Sequence, residues 1–229
     1  MDTRIRTDRP GWLEIVVGIA AMAAVGFALP ALLSDQIDLT GASGGAFLAC
    51  LSGIAGMAGF GVAVLVRRRP VESFGVRGTT ARWLWLGVAG GVVALLAKGV
   101  LVPLFVWLTD APTDTQAGYA AGASGGIWLL VVTAIGLVVL TPIGEELLFR
   151  GVVTTGLLRY GSVIATVGSA VIFALLHGIN VVLPAALVVG IITAELRRRS
   201  DSVWPGVVVH AFNNSITVIA YAVAPEIAG

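Results

Sequence analysis

Charge is scarce in this sequence. Lys, Arg, Asp and Glu make up 12% of its 229 residues, about half the share of an ordinary soluble domain. That shortage excludes a conventional soluble fold. A net charge of +1, with the arginines in short clusters between apolar stretches, excludes a nucleic-acid partner. The single cysteine, Cys50, excludes an intramolecular disulfide and reads as a small buried hydrophobe in an apolar run. Only one lysine, Lys98, stands against 13 arginines, and only two histidines are present, His177 and His210. Internal repeats and low-complexity tails are lacking as well. An inverted-repeat transporter needs two comparable halves, whereas the polar residues crowd into the second half of this chain.

What is abundant is apolar surface. Hydrophobic residues reach 57%, and a membrane span needs roughly 20 of them in a row. The chain therefore reads as an all-α, polytopic transmembrane helix bundle, a single integral membrane domain over residues 1–229. Seven apolar segments stand out, at 11–33, 44–66, 83–108, 126–146, 162–177, 181–196 and 203–224. Basic residues precede the first, as in a signal peptide, but the run is long and no cleavage site follows, so it reads as the first span.

The connections alternate in charge. Arg4, Arg6 and Arg9 precede the first segment, Arg67 to Arg69, Arg77 and Arg82 follow the second, Arg150 and Arg159 the fourth, and Arg197 to Arg199 the sixth. The other loops carry Asp35, Asp38, Asp110 and Asp114 and no basic residue. Basic loops stay in the cytoplasm, so the expected N-terminus is cytoplasmic and the C-terminus external. All six tryptophans, Trp12, Trp83, Trp85, Trp107, Trp128 and Trp204, fall near expected span ends, where indoles favour the headgroup zone. Abundant Ala, Gly and Val with Arg in place of Lys points to a GC-rich bacterial genome, hence a bacterial plasma (inner) membrane. The Gly-rich stretches 53–61 and 87–91 read as close helix contacts.

Segments five and six are short. About 16 residues of helix reach roughly 24 Å, so the turn His177-Gly178-Ile179-Asn180 should lie within the membrane, where irregular backbone is tolerated only against protein or a wet cavity. Thr141-Pro142 should likewise interrupt segment four.

The sharpest feature is Thr141-Pro142-Ile143-Gly144-Glu145-Glu146-Leu147-Leu148-Phe149-Arg150. Carboxylates inside a span are costly and functional by default. Glu146 and Arg150 are i,i+4 and can pair, which leaves Glu145 free. The plainer alternative has both glutamates marking a cytoplasmic helix end, with Arg150 snorkelling. His177 closes one apolar segment, and His210 shares a helix face with Asn214 at i,i+4. Either histidine alone could be an ordinary interhelical hydrogen-bonder. Together with Glu145 and Asn214, the two supply a base, hydrogen-bond donors and a place to hold water. Counting straight helices from their cytosolic ends puts His210 at roughly 12 Å and His177 at about 20 Å, so the residues do not share one depth in that simplest arrangement. Lys98 lies midway along segment three. It reads either as a contact for a substrate carboxylate or, more simply, as a structural pair or a snorkelling side chain.

Glu-Glu-x-x-x-Arg, Phe173-x-x-x-His177 and His210-x-x-x-Asn214, in that order on successive spans, resemble the CPBP family, whose name joins CAAX proteases and bacteriocin-processing enzymes. The flanks agree: Phe149-Arg150-Gly151, Ser169-Ala170-Val171-Ile172-Phe173 and Ser202-Val203-Trp204-Pro205-Gly206. The resemblance covers about 141–214. It implies a four-span catalytic core at 126–224, with the three peripheral spans of 1–125 carrying no motif. It further implies a glutamate-dependent intramembrane endopeptidase acting on a membrane-associated protein or peptide in the bilayer. In that reading Glu145 with His177 activates water, His210 and Asn214 stabilise the oxyanion, and Glu146 with Arg150 support the architecture. The family has been described as metal-dependent, and Glu145, His177 and His210 could hold Zn²⁺. Their spacing is not the His-Glu-x-x-His of zinc peptidases, so the expectation is no metal and no other cofactor. Access is expected from the cytosolic half. Two other readings stay open: a non-catalytic regulator or immunity protein of the same family that binds a membrane partner, and a proton-coupled transporter with Glu145 as carrier.

Overall fold

The structure, a computed structural model, describes residues 9–36 and 38–223. Arg4, Arg6 and the last residue of the seventh expected segment lie outside that range. The described residues form eight helices and no strand. These are α1 (Trp12–Leu33), α2 (Ala42–Arg67), α3 (Ala81–Thr109), α4 (Ala117–Ser124), α5 (Ile127–Tyr160), α6 (Ser162–Leu176), α7 (Val182–Ser200) and α8 (Trp204–Val223). The all-α polytopic bundle expected from composition is what the chain forms. Five helices (α1, α2, α3, α5 and α8) are long and apolar enough to cross a membrane. Of the two expected short spans, α6 is a shorter apolar helix. α7 runs four residues past its apolar segment, with Glu195 and Arg197 to Arg199 still helical.

α5 departs most from expectation. It does not stop at residue 146, and Thr141-Pro142 does not interrupt it; the helix continues to Tyr160 over 34 residues. Two π-helical stretches, Ile135–Leu140 and Leu147–Thr154, flank the α-helical turn Thr141–Glu146. A π-turn bonds i→i+5, which absorbs the missing N–H of Pro142 without breaking the helix. Its second half is the most enclosed part of the fold, with Leu148 to Leu157 buried throughout. Enclosure on every side is why Arg150, the residue that ends the hydrophobic run in the sequence, marks no surface.

α2 and α5 pack backbone to backbone. A Cβ on Gly144 would stand 2.1 Å from the Gly53 carbonyl oxygen, and one on Gly56 would stand 2.5 Å from Gly144 C. On the other side, Gly87 and Gly91 of α3 let α8 approach through Pro205 and Phe212. Both Gly-rich stretches thus serve close packing, apart from Gly61, which meets nothing within 4 Å. α4, which no apolar segment announced, lies on α2 with Gly45 against the Gly118 backbone.

The arginine-bearing connections gather at one end of the bundle. Fully buried Glu14 accepts from Arg69 Nε at 2.9 Å and lies 3.7 Å from Arg67 Nε, tying the start of α1 to the end of α2. Trp12 Nε1 donates to Tyr160 at 2.8 Å, and Arg159 donates to the Pro10 carbonyl, which adds the end of α5. Val203 N donates to Gly75 O, and Ser202 Oγ to Arg77 O, which brings in the start of α8. The opposite end is marked by Tyr221 donating to Gln116 at 2.8 Å.

Candidate active site

Glu145 and Glu146 sit on the single α-helical turn between the two π-stretches of α5, and both are buried. A one-residue change of helical register on each side aims these neighbours at different partners. Glu146 turns into the protein. Its Oε2 lies 3.1 Å from Arg150 Nε, and neither side chain has any exposure. Arg150 also donates from Nε to Thr193 at 2.5 Å, and its guanidinium lies 4.4 Å from the Phe173 ring centroid, a cation–π contact. The expected i,i+4 pair is therefore present. The snorkelling alternative is not, because Arg150 is 0% exposed.

Glu145 turns into a cavity of about 380 Å³. Ser52 Oγ of α2 donates to its Oε1 at 3.0 Å. The other oxygen, Oε2, is buried and accepts no hydrogen bond from the described residues. Two imidazole nitrogens face it, His177 Nε2 and His210 Nε2, each at 3.9 Å.

The tautomers follow from the partners. His177 Nδ1 lies 2.8 Å from the Phe173 carbonyl, which can only accept, so Nδ1 carries the proton and Nε2 is bare in the neutral ring. His210 Nδ1 lies 3.4 Å from Glu146 Oε1, so it too directs its N–H away from the cavity. The turn that carries His177 is well built. Gly178 takes φ +85°, a conformation that suits glycine at a helix C-terminus. Asn180 donates to the His177 carbonyl at 2.7 Å and accepts from Val182 N at 2.8 Å, closing α6 and opening α7 with one side chain.

Asn214 lines the same cavity, and one of its amide hydrogens is committed: Nδ2 donates to the Leu137 carbonyl at 2.7 Å. The reason lies in α5. Thr141 N–H goes to Gly136 O, and the i→i+5 donor for Leu137 would be residue 142, a proline without N–H. Asn214 takes the place of that missing donor and keeps a second N–H.

The four expected residues thus lie in one cavity, although straight-helix counting put them at different depths. Ser52 carried no signal in sequence, being one hydroxyl in a Gly-rich run. Lys98 lies in the same cavity, donating to Thr217 at 3.1 Å. Its lining runs from Glu145 past Thr217 to Gln116 and Tyr221.

Glu145, His177 and His210 are the donors this cavity could offer to zinc. Two bare Nε2 atoms and a carboxylate are suitable in kind. Tetrahedral bonds of 2.0–2.1 Å, however, would separate the donors by about 3.4 Å, less than the observed 3.9 Å. No group of three His, Cys, Asp or Glu among the described residues is arranged to hold a metal ion. The residues as placed do not fit zinc, and no step below uses a metal.

Residues 127–216 match the family model described as Type II CAAX prenyl endopeptidase Rce1-like. The match runs from the start of α5 into α8 and includes Glu145, His177, His210 and Asn214. No curated protein and no solved structure matches the chain. Over these residues the chain is similar to the CAAX-type intramembrane proteases of the CPBP family.

Proposed function

We propose that the chain is an intramembrane endopeptidase that hydrolyses a peptide bond of a membrane-associated protein or peptide with water activated by Glu145. The observation that carries this reading is Glu145 Oε2, a buried carboxylate oxygen without a hydrogen bond, faced by two imidazole nitrogens at 3.9 Å. Buried polar atoms of this kind call for a partner, and a water molecule has the size and hydrogen-bonding capacity to be that partner.

In this reading one water O–H points to Glu145 Oε2 and the other to the bare Nε2 of His177. Glu145 takes a proton as the water oxygen attacks the peptide carbonyl carbon. The carbonyl π pair moves to oxygen, where the free Asn214 N–H and His210 meet the negative charge. His210 donates from Nε2 only as the imidazolium, because Nδ1–H is directed at Glu146; the Glu146 carboxylate offsets that charge. Collapse of the intermediate breaks the C–N bond, and Glu145 returns its proton to the leaving amine. No metal or other cofactor takes part. The arginine-bearing end faces the cytoplasm of a bacterial plasma membrane under the positive-inside rule.

Replacing Glu145 by Gln keeps the shape and removes the base. Membrane peptides compared by mass spectrometry between cells with wild-type protein and with Glu145→Gln should show cleavage products only in the former, a loss of at least about 10²-fold. Full biological effect in the Gln variant would sink the peptidase reading and favour a non-catalytic regulator of the same family.

A further inference from the structure

Outside the cavity, at the arginine-bearing end, one cation is buried with little to offset it. Arg197, in the last turn of α7, is 3% exposed. Its Nη2 donates to Thr155 Oγ1 at 2.9 Å, and the Thr155 hydroxyl spends its own hydrogen on the Arg150 carbonyl. Nε and Nη1 are buried and make no hydrogen bond to the described residues. The one acid paired with Arg197 among those residues is Asp201, 3.5 Å from Nη1. That is beyond the usual hydrogen-bond length, and the Asp201 side chain is 78% exposed, so solvent screens what it supplies. A buried charge with so weak a partner is costly.

The surroundings add positive charge instead of cancelling it. Gly75, at φ +77°, lets its loop lie flat on the guanidinium; a Cβ there would stand 2.3 Å from Arg197 Cζ. Val203 N donates to Gly75 O and Ser202 Oγ to Arg77 O, which fixes this loop to the start of α8. Arg77 comes from the loop and Arg9 from the segment before α1, and the charges of both act against that of Arg197. Arg77 is exposed and gives one N–H to the Glu72 carbonyl at 2.6 Å, a neutral acceptor. Three guanidiniums from three separate elements thus bring charge to one place, with unspent donors on a buried floor and an exposed rim.

We propose that Arg197, Arg77 and Arg9 form a site for a phosphate group at the arginine-bearing end of the bundle. Guanidinium N–H groups match phosphate oxygens in geometry as well as in charge. Two sources offer that chemistry, the headgroup of an anionic phospholipid and free phosphate. Trp12 and Tyr160, bonded to each other at this end, mark the headgroup level, which favours the lipid. Asp201 competes with the anion for Nη1, and its exposed side chain can swing aside. Occupation ties the ends of α5 and α7 to the Gly75 loop.

The full chain in dodecyl maltoside micelles is unfolded thermally at fixed ionic strength while dioleoylphosphatidylglycerol, dioleoylphosphatidylcholine or inorganic phosphate is titrated in. Phosphatidylglycerol should raise the midpoint by about 3 °C or more at saturation; phosphatidylcholine, whose choline the arginines repel, should not. A matching rise with inorganic phosphate names the bare anion as sufficient, and its absence names the lipid headgroup. Arg9→Gln with Arg77→Gln, at positions that are not buried, should weaken binding about tenfold. Arg197→Met should abolish the rise, and Asp201→Asn, which suits the left-handed φ of +55°, should strengthen binding. Arg199→Gln, a neighbour outside the site, should change nothing. No rise with either phosphatidylglycerol or phosphate, an equal rise with phosphatidylcholine, or undiminished binding in the Arg9/Arg77 variant overturns the site. An equal loss in Arg199→Gln overturns it too, by showing diffuse attraction only. Should Arg197→Met not fold, the Arg9/Arg77 variant decides alone. The readout involves no turnover, so its outcome is independent of the peptidase reading.

Discussion

Asn214→Ala removes the one side-chain donor that reaches the Leu137 carbonyl, 2.7 Å away. Leu137 is buried, so the orphaned acceptor should destabilise the fold by about 1–3 kcal/mol. If the cause is the missing N–H of Pro142, a second change should reverse it. Pro142→Ala supplies an i→i+5 donor within the same π-turn, and the double variant should regain most of the loss. The expected coupling of about 1 kcal/mol or more stands clear of the roughly 0.5 kcal/mol scatter of independent sites. Turnover should part from stability in this cycle. The second Asn214 N–H is assigned to the oxyanion, and its removal costs about 10²-fold or more, with or without Pro142→Ala. Stability is read by reversible unfolding in mixed micelles, and turnover on any peptide the wild type cleaves. A loss below about 0.5 kcal/mol for Asn214→Ala, or one that Pro142→Ala leaves unchanged, would refute the helical argument. A double variant with full turnover would refute the oxyanion role.

Three further outcomes follow from named contacts. Arg150→Met leaves Glu146 charged at 0% exposure and should cost about 3–5 kcal/mol in the same unfolding assay; adding Glu146→Leu should return most of it, and additive losses would contradict the pairing. Gly144→Ala forces α2 and α5 apart, since its Cβ would stand 2.1 Å from Gly53 O, and should cost about 1–3 kcal/mol. Gly61→Ala meets nothing and should be neutral or slightly stabilising by thermal denaturation; equal effects of the two would remove the close-packing argument. Ser52→Ala frees Glu145 Oε1 from its 3.0 Å donor and should lower kcat about tenfold with KM unchanged. Ser52→Thr, which keeps the hydroxyl, should restore most of the rate, and an unchanged kcat in the Ala variant would end the positioning role.

Much of this site was legible because the bilayer makes polar residues conspicuous. Glu145, His177 and His210 stand out in apolar runs for the cost of placing them there, and the Glu146–Arg150 pair follows from i,i+4 spacing alone. The course of α5 was not legible. Arg150 ends the hydrophobic run, but a residue that carries its partner four positions earlier can be buried, so the run ends while the helix continues. π-turns leave no periodic signature, since i→i+5 bonding shifts the register by one residue without changing residue types. Depth failed for a related reason. Rise along a helix equals depth only when helices run parallel, and His177, just past the end of α6, meets His210 in the second turn of α8 across Glu145. Ser52 was invisible because its role depends on the approach of α2, which the glycines permit and no hydroxyl pattern announces.

The buried pair explains how the cavity stays ordered. Replacing a buried ion pair by apolar residues of similar volume is often neutral for stability, so folding alone does not account for Glu146 and Arg150. What the pair does in this geometry is fix a direction. Arg150, held by Thr193 and the Phe173 face, holds Glu146 Oε2; Glu146 Oε1 in turn faces His210 Nδ1 at 3.4 Å. With that nitrogen occupied, the imidazole can present only Nε2 to Glu145. Phe173 contributes from the other side: its carbonyl fixes His177 Nδ1, and its ring lies edge-on to both imidazoles, with centroids 4.7 and 5.9 Å away. One ion pair and one phenylalanine therefore orient both histidines toward the same carboxylate oxygen. On this argument the Glu146→Leu/Arg150→Met chain folds but leaves His210 free to turn, and it separates a stabilising pair from an orienting one by losing turnover without losing stability.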